Sequence, residues 1–226
     1  MKGINMNIIN QYKPGNNSTM RRHFLFFTQS FVLFFFLHSF SLLQAQDSTF
    51  YNKGLNFFNA KDFENALPYF EKAVKVNLNQ SDVYLYIGLC NSKLKRYTEA
   101  IEAFKQTIRI KPDDALAYNN LGNTYFQLER YTEAIEACKH AISIKPDLAE
   151  AHDNLGLSYF RLKRYTEAIE AFKKAIRIKS DDAQAHCLLG LTYLSIGDKG
   201  SALDEYKVLK ELDKDLADKL LNLIYQ

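Results

Sequence analysis

Tyr97-Thr98-Glu99-Ala100-Ile101-Glu102-Ala103 returns letter for letter at Tyr131–Ala137 and again at Tyr165–Ala171, each time 34 residues on. A fixed interval of that length marks a stacked repeat, in which each copy is one supersecondary unit that needs its neighbours to bury its apolar face. Carrying the interval outward gives five units, 47–80, 81–114, 115–148, 149–182 and 183–216. One glycine falls in the same place in each: Gly54, Gly88, Gly122, Gly156 and Gly190. They are five of the nine glycines in the chain, so the residue is concentrated in one structural slot.

Other slots keep the same step. Three residues after the glycine stand Phe57, Tyr125, Tyr159 and Tyr193, with Asn91 the exception. Twelve after it come Ala66, Ala100, Ala134, Ala168 and Ala202, and four further on Phe70, Phe104, Cys138, Phe172 and Tyr206. Within a unit the apolar residues follow helical spacing: Leu155, Tyr159 and Leu162, then Ala168, Ile169, Phe172, Ala175 and Ile176. Such a stripe predicts two successive amphipathic helices. Thr166 and Glu167 suit the start of the second one, a side-chain cap with a carboxylate near the positive end of the helix dipole. Pro112 and Pro146 follow second helices, since proline can neither donate to a helix nor continue it. Gly156 and Ala168 are small enough to let the two helices approach closely. Residues 217–226 read as one more helix, a cap on the open end of the stack. No strand-like alternation appears, so the expected fold is all-α.

On these residues the chain resembles the tetratricopeptide repeat (TPR) family. Tyr118, Leu121-Gly122, Tyr125, Ala134, Ala141 and Pro146 follow the family pattern closely, and five in-phase copies cover residues 47–216. The family's tryptophan is absent; Phe50, Tyr84, Tyr118, His152 and His186 take its slot. The resemblance implies a right-handed superhelical solenoid of five antiparallel helix pairs over 46–226, and a surface for protein partners rather than an enzyme.

Residues 1–45 read as an export address. Lys2, Lys13, Arg21 and Arg22 precede an apolar run, Phe24 to Leu43, that holds eight phenylalanines, and the first acid is Asp47. A basic start, an apolar middle and a small residue at Ala45 describe a secretory signal peptide. Met20, directly before Arg21-Arg22, is an alternative true start. The run is also long enough to span a bilayer, so a retained anchor is the competing reading; the basic flank places the repeats beyond the cytoplasmic membrane in either case. Arg21-Arg22-His23-Phe24-Leu25 resembles a twin-arginine signal, but the run is very hydrophobic and ordinary secretion fits better. A bacterial lipoprotein is disfavoured because the first cysteine is Cys90. Localisation is thus expected to be periplasmic, or membrane-anchored through residues 24–43. Removing 1–45 takes four basic and no acidic residues from totals of 29 and 26, leaving 25 against 26. No net basic field remains to hold nucleic acid.

Residues that could carry chemistry have plainer explanations. Cys90, Cys138 and Cys187 fall in three different slots without a C-x-x-C pair, which fits buried thiols rather than a metal or redox site. His152 and His186 occupy the aromatic slot and read as ring-shaped filler, while His140 has no companion. Glu99, Glu102 and Lys105 recur as Glu133, Glu136 and Lys139 and as Glu167, Glu170 and Lys173, which describes a solvated outer face with i,i+3 support. No catalytic residue, metal or cofactor is expected.

The first helices are more informative. By the resemblance, their second, fifth, sixth, ninth, twelfth and thirteenth positions line the concave wall. A peptide-binding groove is therefore expected from Asn52, Tyr86, Asn119, Asn120, Asn123, Phe126, Asn154, Phe160 and Arg161, within a wall that also holds Tyr51, Leu85, Asp153, Leu157, Leu188 and Leu191. Amides offer both donor and acceptor, so Asn52, Asn120 and Asn154, which share one slot, could pair with the backbone of an extended peptide. Phe58, Phe126 and Phe160 serve equally well as groove pockets or as packing between helices. The lysines of the family's clamp for acidic peptide tails are missing, their slots holding Tyr51, Leu85, Asn119 and Asp153, or Leu116 and Glu150.

The partner class is a protein or peptide, with membrane contact only through an uncleaved amino-terminal segment. The function expected is an exported, non-catalytic adaptor; the alternative is a membrane-anchored component that recruits an envelope assembly machine. Intact-mass measurement of protein purified from cells separates the two. A mature start near Gln46 supports export with cleavage, and retention of the Phe24–Leu43 run supports the tether.

Overall fold

The computed structural model describes residues 49–76 and 81–226, and the export segment expected over 1–45 lies outside them. Among the described residues the regular structure is helical throughout. The first run, α1, covers 49–59. It is followed by α2 (Phe63–Val76), α3 (Ser81–Lys93), α4 (Tyr97–Ile110), α5 (Ala115–Gln127), α6 (Tyr131–Ile144), α7 (Ala149–Arg161), α8 (Tyr165–Ile178), α9 (Ala183–Ser195), α10 (Lys199–Leu212) and α11 (Lys214–Tyr225). Each second helix begins 34 residues after the last, and so does each first helix from α3 on. Every helix packs on the next in sequence from α2 to α11, and α3, α5, α7 and α9 also touch one another in order. The core is accordingly a string of local clusters along the stack.

The recurring glycine explains the close pairing. A Cβ on Gly156 would lie 2.6 Å from the Phe172 ring, and one on Gly88 would meet Phe104 just as tightly. Phe70, Phe104 and Phe172 are completely buried over these glycines, as are the alanines at 66, 100, 134, 168 and 202. Opposite Gly122 the ring is replaced by the Cys138 thiol, whose sulfur would stand 2.6 Å from an added Cβ. Cys90, Cys138 and Cys187 are all free and buried, and burial pushes the Cys90 and Cys138 thiols up to about 12.

The fifth unit departs from the pattern. Tyr206 occupies the ring slot by number, yet it is only half-buried, and the side chain over Gly190 is Leu220 from α11. The cover comes from α11, which buries Ala217, Leu220 and Ile224 against α9 and α10. This closing helix starts at Lys214 rather than 217, because the Asp213 carboxylate accepts a 3.0 Å bond from Leu216 N–H and caps it there.

Between the two helices of a unit the chain turns through one residue of positive φ: Lys61, Lys95, Glu129 and Lys163 near +60°, and Gly197 at +81°. In each, the following amide reaches back five residues, as from Arg164 to Tyr159 O at 2.9 Å, the six-to-one bond of a Schellman turn. The expected Thr166 cap is not formed. The helix begins at Tyr165, directly after Arg164, whose guanidinium holds Glu167 at 2.6 Å; the same pair recurs as Arg130–Glu133 at 2.7 Å. These contacts hold the Glu133 and Glu167 carboxyls below their usual range, mainly through the arginine hydrogen bond. Aspartates cap α5 and α9: Asp114 accepts from Ala117 N–H and Asp182 from Gln184 and Ala185 N–H. Leu148 stands in that place before α7 and provides no cap.

Gly156→Ala is expected to destabilise the protein by ~1–3 kcal/mol, the usual penalty for overpacking a filled core. Gly200→Ala in α10 meets nothing closer than 3.5 Å and should be neutral or stabilising by up to ~1 kcal/mol. Urea unfolding of both variants checks the contrast.

Candidate interaction surface

The first helices contact their counterparts in neighbouring units, while the second helices make no comparable contact with one another among the described residues. That asymmetry puts α3, α5, α7 and α9 along the tighter side of the stack. The wall they form carries the residues singled out in the sequence, but not all are free to meet a partner.

The asparagines divide into two groups. Asn119 is buried, and its Oδ1 accepts a 2.9 Å bond from Asn154 Nδ2 of the next unit. Asn119 is thus part of the seam between α5 and α7, a correction to its expected place in an open groove. Asn120 turns its Nδ2 back to Leu116 O at 2.8 Å, which leaves its Oδ1 open. Asn52 is exposed and Asn123 half-buried, and neither amide has a side-chain partner.

The rings are mostly engaged with one another. Tyr86 stacks on Phe70 at 5.2 Å and stands edge-on to Phe58 at 5.0 Å and Tyr51 at 5.9 Å. Burial, then the neighbouring Tyr86 and Asp82, raises the Tyr51 hydroxyl to about 12. Phe126 packs on Tyr131 at 5.5 Å and Phe160 on Tyr165 at 5.6 Å, each against the second helix of its own unit. Both remain half-buried, so packing between helices accounts for one side of each ring only. The Arg161 guanidinium lies 5.0 Å from the Tyr131 ring and 5.8 Å from Phe126, and reaches toward Glu129 at 3.8 Å. It clamps the fourth unit to the third while staying exposed.

One residue of this wall escapes the sequence pattern as a site. Asp153 occupies the slot of Asn119, and the residue that would match Asn154 one unit on is Leu188, which has no donor. Asp153 Oδ1 is therefore buried without a hydrogen-bond partner. Burial lifts this carboxyl to about 7, with Asp182 and Glu150 adding to the rise and Lys179 opposing it. Only the pairing across units exposes the mismatch; the spacing alone shows an acid on a polar wall.

His152 and His186 are buried, and each points Nε2 at the carbonyl of the loop before its helix, Pro146 O at 3.0 Å and Ser180 O at 3.2 Å. Among the described residues no three His, Cys, Asp or Glu side chains converge on a metal-binding point, and no helix is long and apolar enough to cross a membrane.

Models described as tetratricopeptide repeat match residues 48–80, 113–181 and 147–215, and one described as TPR repeat matches 93–129. No curated protein sequence matches the chain. Among solved structures, MamA is similar at 28% identity and a TM-score of 0.66, over 73% of this chain and 96% of that one. TTC0263, a thermophilic TPR protein of Thermus thermophilus, matches at 23% identity and TM-score 0.64, over 80% of this chain and 100% of its own. PilF of Pseudomonas aeruginosa matches at 17% and 0.68, over 79% of this chain and 90% of its own. The last two likenesses are of fold alone.

Two substitutions probe the wall. Asn154→Ala leaves the buried Asn119 Oδ1 without a donor and should lower stability by ~1–3 kcal/mol, whereas Asn120→Ala removes one exposed bond and should change it by less than ~1 kcal/mol. Asp153 holds its proton longer in the folded chain than in the unfolded one. Its contribution therefore favours the fold at acid pH and is lost as the pH rises from about 4 through about 7. Asp153→Asn is expected to stabilise by ~1–3 kcal/mol at pH 8, with the gain vanishing near pH 4 in paired urea titrations.

Proposed function

We propose that this chain, which belongs to the tetratricopeptide repeat family, is an exported, non-catalytic adaptor that holds an extended segment of a partner protein along its first-helix wall. The observation that carries the reading is hydrogen-bonding capacity left open along that wall. Asn120 Oδ1 is open, and the Asn52 and Asn123 amides are unengaged. A peptide backbone laid across the wall offers N–H groups to the acceptors and carbonyls to the amides, regardless of its side chains. The half-buried faces of Phe126, Phe160 and Tyr86 supply apolar contact beside these groups. Leu116, 50% exposed at the mouth of the wall, adds to it.

Residues 1–45 favour delivery beyond the cytoplasmic membrane, where the partner would be met. The long apolar run at 24–43 keeps a tethered form as the second reading.

Photo-crosslinking distinguishes this wall from the rest of the surface. A photoreactive phenylalanine analogue at Asn52 or Asn123 should give a discrete partner adduct in cells, and the same group at the exposed Glu136 of α6 should not. Adducts formed only at Glu136 contradict a groove on the first helices.

A further inference from the structure

Among the differences between the fourth and fifth units, one stands beside a buried histidine: Ala171 in the fourth unit matches Glu205 in the fifth. In the fifth unit the buried His186 has two acceptors: Nε2 faces Ser180 O at 3.2 Å and Nδ1 faces the Glu205 carboxylate at 2.6 Å. Both ring nitrogens of His186 are thus engaged, one by a carboxyl group and the other by a backbone carbonyl. Lys173 stands beside them, its ammonium 5.6 Å from the Tyr193 ring and drawn upward in pKa by Tyr193 and then by Glu205.

Thirty-four residues earlier every member of this group but one is present. His152 matches His186, with Nε2 3.0 Å from Pro146 O; Lys139 matches Lys173, 5.9 Å from Tyr159, the counterpart of Tyr193. The missing member is the acid, because Ala171 stands where Glu205 does. His152 is 4% exposed, and its Nδ1 is buried with no partner. His152 also lines a cavity of about 200 Å³ together with Ala171, Tyr159, Lys139 and Lys174, several times the ~30 Å³ share of one water. Two acids also border it: Glu167 is already held by Arg164, and Glu170 is solvent-exposed.

We propose that this cavity is a carboxylate-binding site, in which an external carboxylate takes the place that Glu205 fills within the next unit. The carboxylate accepts from His152 Nδ1–H and lies near the Lys139 and Lys174 ammonium groups. The proton on Nδ1 comes from solvent, or from the acid if it arrives un-ionised; the Nε2–H bond to Pro146 O is kept throughout. The carboxylate belongs either to a small organic acid or to a glutamate side chain of a partner. The site lies between α6, α7 and α8 and does not depend on the groove proposed above.

Imidazole nitrogen NMR of the folded protein tests it, with acetate as the probe and chloride at matched ionic strength and pH as the control. Acetate should move the His152 Nδ1 signal saturably toward the protonated position and leave His186 unchanged. Ala171→Glu should show that protonated signal without acetate and should abolish the response. Lys139→Met, at a solvent-exposed position, should weaken acetate binding about tenfold. A capped tripeptide with one glutamate separates the sources: tighter binding than acetate indicates a partner side chain, weaker binding a small acid. A His152 signal that ignores acetate, that responds equally to chloride, or that binds acetate unchanged in Lys139→Met would overturn the proposal.

Discussion

The structure depends on how near two helices of one unit can come. Gly54, Gly88, Gly122 and Gly156 each leave a gap that a side chain from the paired helix fills completely. Phe70, Phe104 and Phe172 are buried in that contact, and the alanine four residues before each ring clears the approach. With the hairpin so closed, its remaining apolar face is wide enough only for the next hairpin. Stacking follows, and with it a core in which each unit is answerable to its neighbours alone.

The end of the array shows the same constraint from the other side. In the fifth unit the ring at Tyr206 is not drawn inward. Leu220 comes from α11 to cover Gly190 instead. Lys199 Nζ fastens the closing helix by a 2.8 Å bond to Ile224 O. The α11 helix buries Ala217, Leu220 and Ile224 and exposes Asp218, Lys219 and Asn222 together with Leu223 and Tyr225.

The 34-residue interval makes the helix pairs, the glycine contacts and the buried thiols legible in advance, because each is a property of one unit repeated. What crosses between units is harder to read. Asn119 and Asn154 share a wall in the sequence, but their bond depends on positions five and six of adjacent units being brought together. The orphaned oxygen of Asp153 follows from Leu188 standing one unit on, and the empty place beside His152 from Ala171 standing where Glu205 later stands. The turns are equally hidden. Lys61, Lys95, Glu129 and Lys163 adopt a backbone conformation that favours glycine, and only Gly197 announces it by its type. Threonine caps helices in general, which predicts a Thr166 cap for α8, yet Arg164 and Glu167 close that end with an ion pair instead.

Deleting one whole period tests single-file stacking most directly. Removal of residues 115–148 joins Asp114 to Ala149, so the Asp114 cap is offered to α7 in place of α5 and the register of every other unit is kept. The shortened protein is expected to fold cooperatively with the same helicity per residue and a urea m-value lower by roughly a fifth, in proportion to the surface lost. A chain that loses its cooperative transition, or that cannot fold without the third unit, would show instead that the helices share one indivisible core.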